Sequence, residues 1–126
     1  MASMASIRSK NTRPEVALRR LIHAMGFRFR IHCSSLPGSP DIVFPSRRKL
    51  IFVHGCFWHR HRCKWGRKLP TGNPKYWIAK FKRNVSRDAA DRRKLRRAGW
   101  QILIVWECQI SDQQELRGRV LSFVGA

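Results

Sequence analysis

Apolar positions recur along this chain in two different periods. After Thr12, residues Leu18, Leu21, Ile22 and Met25 fall at helical spacing, with Arg19, Arg20 and His23 on the opposite, solvated face. Thr12 supplies an N-cap, Pro14 suits the first turn, Glu15 carries a carboxylate where the helix dipole favours one, and Gly26 marks the stop. The period then shortens to two. Phe27, Phe29, Ile31 and Cys33 alternate with Arg28, Arg30 and His32, which predicts a half-buried strand with Cys33 on its apolar side. Leu36-Pro37-Gly38-Ser39-Pro40 reads as a stiff loop that delivers Asp41 to a strand at Ile42-Val43-Phe44. A basic turn, Pro45 to Arg48, leads into Leu50-Ile51-Phe52-Val53, so these two strands are expected to form a hairpin. A long helix is predicted from Lys75 to Ala98, with Ile78, Phe81, Val85, Ala89 and Leu95 on its buried side and Gly99 as its end. Ile102 to Trp106 is apolar at every position, as in a strand covered on both faces, and Asp112 to Val124 predicts a last helix. The order is αβββαβα without repeat or linker. One domain over residues 1–126 is expected, with 1–11 as a flexible basic arm.

Charge changes this picture more than length does. The 126 residues include 27 Lys plus Arg against 7 Asp plus Glu, a formal net charge of +20, while 43% apolar residues suffice for a core and exclude a disordered basic tail. Such a charge calls for a polyanion, and nucleic acid binds it through release of condensed counterions. A membrane is set aside. The longest apolar runs are far below the roughly 18 residues needed to span a bilayer, and no basic amphipathic helix or lipidation motif is present. Met1 to Ser6 carry no hydrophobic signal segment, so a cytoplasmic location is expected. There, four cysteines point to a metal or free thiols before disulfides. Nine cations lie between Lys80 and Arg97, among them Lys80, Lys82, Arg83 and Arg87, and they form the expected phosphate-binding face.

Two constellations carry chemistry. Cys56-Phe57-Trp58-His59-Arg60-His61-Arg62-Cys63 packs two thiols and two imidazoles into eight residues, a donor set suited to tetrahedral Zn²⁺. Three ligands are local and the fourth is distant: Cys108 follows the buried strand, with Cys33 as the rival, and spacing leaves the choice between His59 and His61 open. The second constellation is Asp41 at a strand start with His54 and His59 nearby. A carboxylate there can hold Mg²⁺, and a histidine can move a proton for the attacking water or the leaving oxygen. The plainer readings are a turn-forming Asp41 and a surface His59. On the long helix, Asn84, Asp88 and Asp91 share one stripe, which simple pairing with Arg87, Arg92 or Lys94 explains. Aromatic residues in or near the basic loops, Phe57, Trp58, Trp65 and Trp77, can wedge into a base step or pack over the metal loop.

Leu36-Pro37-Gly38-Ser39-Pro40-Asp41, the run from Phe52 to Cys63, and Ile104-Val105-Trp106-Glu107-Cys108 together resemble the very short patch repair (Vsr) DNA mismatch endonucleases. Tyr76-Trp77, Asn84-Val85-x-Arg87-Asp88 and Thr12-x-Pro14-Glu15 fit the same family, so the resemblance runs from Ile7 to Cys108. It implies an α/β, restriction-endonuclease-like core, a mixed sheet flanked by helices with an inserted zinc-binding loop. It also implies an enzyme that nicks double-stranded DNA 5′ of the thymine in a G·T mismatch arising from deaminated 5-methylcytosine. By the same resemblance, Asp41 and the Val53 backbone carbonyl hold Mg²⁺. His59 acts on the attacking water, His54 contacts the scissile phosphate steadied by Asp88, and Glu15 is a supporting acid. Cys56, His61, Cys63 and Cys108 hold structural Zn²⁺, and Phe57, Trp58 and Trp77 intercalate beside the mismatch. Action as a monomer, with mismatch-repair proteins as possible partners, is expected too. Val53 replaces a Thr found in some members, a change to which a carbonyl ligand is indifferent. The Glu-x-Lys half of restriction sites is absent, which fits a histidine-assisted variant. The alternatives are a zinc-stabilised nucleic-acid-binding module without catalysis and a related nuclease of different DNA specificity.

Overall fold

The computed structural model describes residues 12–56, 63 and 72–125. Helix α1 spans Arg13–Ala24, and the Thr12 hydroxyl accepts the Glu15 amide at 3.4 Å, the cap that the sequence predicts. Strands β1 (Ile42–Phe44) and β2 (Lys49–His54) pair antiparallel, and β2 pairs parallel with β3 (Gln101–Trp106). A parallel pair needs a crossover, here helix α2 (Pro74–Arg97); Gly99, at φ +92°, turns the chain back after it. Helix α3 (Gln113–Val124) starts at Asp112, whose carboxylate accepts the Glu115 amide at 3.1 Å.

The mixed three-stranded sheet, in the order β1-β2-β3, is covered on both faces. Alternate residues Ile42, Phe44, Ile51 and Val105 meet Leu18 and Ile22 of α1 and Leu116, Val120 and Val124 of α3. The opposite parity, Val43, Leu50 and Phe52, packs with Leu95 of α2 and with Trp100. This period-two division explains why β3 is apolar throughout: Leu103 joins the first cluster while Ile102 and Ile104 join the second. Gly38, at φ +75°, lets the loop approach the sheet closely. A Cβ there would lie 3.1 Å from the Phe52 ring and 3.2 Å from an Asp91 carboxylate oxygen.

Two sequence expectations give way. The strand expected over residues 27–33 is reduced to one bridge, where Arg30 and Val43 exchange hydrogen bonds of 2.8 and 2.9 Å. His32, at φ +57°, breaks the extended run, so Phe27 and Phe29 pack on one cluster and Cys33 on the other. On α2, Phe81 and Leu95 are buried as expected, but Ile78 and Val85 are exposed. The cause is length: 24 helical residues reach about 36 Å, whereas the six of β2 reach about 20 Å. The α2 start therefore overhangs the sheet.

Three arginines and a lysine close the ends. Lys49, buried at the start of β2, donates to the Phe123 carbonyl at 2.7 Å, and Arg47 donates to that of Val124 at 2.9 Å, so both cations satisfy the end of α3. Arg48 lies in the left-handed turn at φ +55°, stacks 4.3 Å from the Trp100 ring centroid and donates to the Ala98 carbonyl. Arg119 donates to the Ile104 carbonyl at 3.2 Å, at the β3 edge. Among the described residues no helix is long and apolar enough to cross a membrane. Replacing Lys49 by Met keeps the apolar stem and orphans the Phe123 carbonyl; a loss of about 1–3 kcal/mol in urea unfolding is expected. An unchanged midpoint would mean that water satisfies that carbonyl equally well.

Candidate active site and metal centre

The register of the two parallel strands builds one end of the molecule. His54 lies opposite Trp106 at the strand ends, so Cys56 and Cys108, each two residues further on, emerge side by side. The Cys108 amide donates to the Cys56 sulfur at 3.4 Å, and the sulfurs of Cys56, Cys63 and Cys108 lie within 4.8 Å of one another. Burial raises both the Cys56 thiol, to about 12, and the Cys108 thiol, so the crowded sulfurs keep their protons unless a cation replaces them. Three convergent thiols can hold a metal ion. Cys33, the rival ligand, is not in this cluster: it is half-buried beside Leu36 in the α2-side core.

Asp41 stands at the same end. Its amide donates to the Ile51 carbonyl at 3.1 Å, and its carboxylate accepts the Val53 amide at 2.5 Å. The side chain thus continues the β1–β2 pairing after the main chain has diverged. Glu15, only 6% exposed, projects from α1 toward it and is bridged by Arg19 at 3.2 Å. Burial pushes the Asp41 carboxyl up to about 7; Glu15 adds to the rise through repulsion and hydrogen bonding, while the Val53 amide and Arg19 oppose it. His54 is buried, its ring 5.6 Å from Phe52 and 5.2 Å, edge-on, from Trp106. Thus Asp41, Glu15, Val53 and His54 gather beside the C-terminal end of β2, where α/β sheets commonly bind ligands.

The remaining candidates are more dispersed. Asp88 is half-buried on α2, and one turn before it the Asn84 side-chain oxygen accepts from Arg87 at 3.0 Å. Trp77 stacks at 5.8 Å on Phe81, with the Lys80 ammonium 5.8 Å from its ring. Lys82, Arg83 and Arg87 are exposed along the overhanging half of α2. Phe57, Trp58, His59 and His61 lie outside the described residues, as does the basic arm.

Sequence reasoning passed over Arg19, assigned to a solvated face; it is largely buried, and its i,i+4 spacing from Glu15 was the available signal. It also passed over Trp106 as a neighbour of His54, since only the parallel register brings them together.

Comparison with known proteins identifies the family of this chain. The family profile for DNA mismatch endonuclease Vsr matches residues 1–65. The type II nicking enzyme V.XorIIP of Xanthomonas oryzae is 50% identical over 117 residues, covering 93% of this chain and 85% of the relative. The DNA mismatch endonuclease Vsr of Escherichia coli is 39% identical over 120 residues, covering 95% and 76%. The type II nicking enzyme V.NmeAIP of Neisseria meningitidis is 36% identical over 117 residues, covering 93% and 83%. An α/β sheet with acidic groups and a thiol cluster at its strand ends is here the scaffold of a DNA endonuclease, an enzyme that hydrolyses phosphodiester bonds. The chain belongs to the Vsr family. A binding module without catalysis is thereby set aside.

The Asp41 shift has a measurable sign. Between 3.8 and about 7 the folded chain retains a proton that the unfolded chain has released, so in metal-free buffer stability falls as pH rises through that window. Asp41→Asn keeps an acceptor for the Val53 amide and removes this titration. Urea unfolding should find the variant more stable than the parent at about pH 8 and equal to it at about pH 4; a constant difference would contradict burial as the cause.

Proposed function

We propose that this endonuclease nicks double-stranded DNA 5′ of the thymine in a G·T mismatch, by Mg²⁺-dependent hydrolysis, acting as a monomer. The observation that carries the reading is the Asp41 carboxylate, fixed by the Val53 amide between buried Glu15 and the end of β2 that bears His54. Two carboxyl groups and a strand-end carbonyl are a hard oxygen set, and the raised Asp41 carboxyl marks a position that gains from a cation. Asp41 and the Val53 carbonyl would hold Mg²⁺, with Glu15 in support. Bound there, the ion supplies charge stabilisation for the phosphate oxygens as the transition state develops.

The chain's own groups account for the rest. His59 takes a proton from the attacking water, whose oxygen forms the new bond to phosphorus as the leaving oxygen departs in line. His54 contacts the scissile phosphate; Phe52 and Trp106 fix its ring, and Asp88 steadies it from α2. Trp77, with Phe57 and Trp58, wedges beside the mismatch, where a mispaired step opens at least cost. Lys80, Lys82, Arg83 and Arg87 grip phosphates without reading sequence. Cys56, Cys63 and Cys108 with His61 form a closed Cys₃His set for structural Zn²⁺, a ligand chemistry that favours Zn²⁺ over hard cations.

A second specificity is favoured by one observation: relatives at 50% and 36% identity are named type II nicking enzymes. A strand-specific assay on G·T, A·T and G·C duplexes, with and without Mg²⁺, decides between them. Nicking confined to G·T and to Mg²⁺ is expected; equal nicking of paired duplexes rejects the mismatch reading. Asp41→Ala and His59→Ala should each lower the rate by about 10²–10⁴ while leaving duplex affinity largely intact. For the second metal, elemental analysis should find one Zn²⁺ per chain, and Cys108→Ala should lose both the ion and thermal stability. Zinc-free protein of unchanged melting temperature would sink that assignment.

A further inference from the structure

Beside Asp41, between α1 and the loop that precedes β1, lies a recess of about 230 Å³. Its lining combines the carboxyl groups of Glu15 and Asp41 with hydrogen-bond donors from Arg19, His32, Ser34 and Ser39. An imidazole and two hydroxyls can donate whatever the protonation state of the ring, so these donors suit anionic oxygens. The volume corresponds to roughly eight waters at about 30 Å³ each, too large for a bare cation and suited to a phosphodiester group with a hydrated ion. The backbone gives an independent indication. Among the described residues four non-glycine positions have positive φ, and two of them, His32 at +57° and Ser39 at +49°, line this recess. Residues held in a disfavoured conformation beside an active site are ones that the surrounding structure positions at a cost.

We propose that this recess seats a DNA phosphate next to the scissile one, with Arg19, His32, Ser34 and Ser39 donating to its oxygens and Glu15 and Asp41 facing the cation. The inference rests on the nuclease reading above. It extends the binding site beyond the proposed catalytic set and gives a role to four residues outside that set. Arg19 has a double function there. Its guanidinium is fixed on Glu15 at 3.2 Å, which holds that carboxylate and keeps a positive charge on the rim of the recess.

The test uses the double variant His32→Gly, Ser39→Gly, because glycine accepts positive φ and deletes both donors without straining the fold. Equilibrium binding is measured by fluorescence anisotropy in Ca²⁺. The duplexes are native or carry a neutral methylphosphonate at the position immediately 5′ or 3′ of the nick. The parent should lose about tenfold in affinity when one of these phosphates is neutralised, and the variant about tenfold on native duplex. The two losses should not add: the variant should be nearly indifferent to that methylphosphonate. Additive losses at both positions, or native affinity in the variant, overturn the inference. A variant that melts well below the parent is replaced by Ser34→Ala, Ser39→Gly, in the same cycle, which deletes two hydroxyl donors and leaves His32 in place. Failure of the nuclease reading is separately visible, as parent protein that does not nick in Mg²⁺.

Discussion

The pairing of β2 with β3 in parallel is the constraint from which the functional end of this molecule follows. Parallel strands finish at the same end, so residues that continue from them are brought together although about fifty positions separate them in sequence. His54 meets Trp106, and Cys56 meets Cys108, by register alone. A slip of one residue would move every side chain of β3 to the other face. That would exchange the two hydrophobic clusters and separate the thiols. The alternation of Leu103 and Val105 with Ile102 and Ile104 forbids it, because each pair is matched to a different helical layer. Core packing and metal-centre geometry are therefore set by one pattern.

Electrostatics act on two scales. The molecule as a whole is a polycation of charge +20, and two of its seven acids are drawn inward to a single site. Burial raises the Asp41 carboxyl to about 7 while the Val53 amide and Arg19 restrain the rise. Elsewhere cations are structural: Lys49 and Arg47 complete the last carbonyls of α3, and Arg48 clasps the end of α2. Counting charge reveals the attraction to DNA but not which cations are already occupied within the fold.

Local signals in the sequence were read well wherever a residue acts on its near neighbours. Thr12, Gly26, the turn before Lys49 and Gly99 each end or begin an element through their own backbone chemistry. The thiol cluster was legible too, because two of its cysteines lie within eight residues and Cys108 follows an unmistakable strand. What escaped depends on dimensions and on distant contacts. The alternation in 27–33 looks strand-like, yet His32 adopts a left-handed conformation that no spacing announces. Ile78 and Val85 fit a helical stripe but lie where α2 outruns the sheet. The recess beside Asp41 needs α1 and the 31–40 loop to converge, a fact of tertiary structure only.

The Arg48 clasp has a consequence for how this architecture can vary. Its bond to Ala98 closes a loop of 50 residues that contains the whole metal loop, and the stacked Trp100 anchors that closure independently of what lies within it. Closure entropy grows only logarithmically with length, so doubling such a loop costs about 0.6 kcal/mol. Insertions and deletions between the end of β2 and the start of α2 thus cost little in closure entropy. Chain length can therefore vary between Cys63 and Pro74 while the strand ends that bring Asp41, Cys56 and Cys108 to one end of the molecule stay fixed.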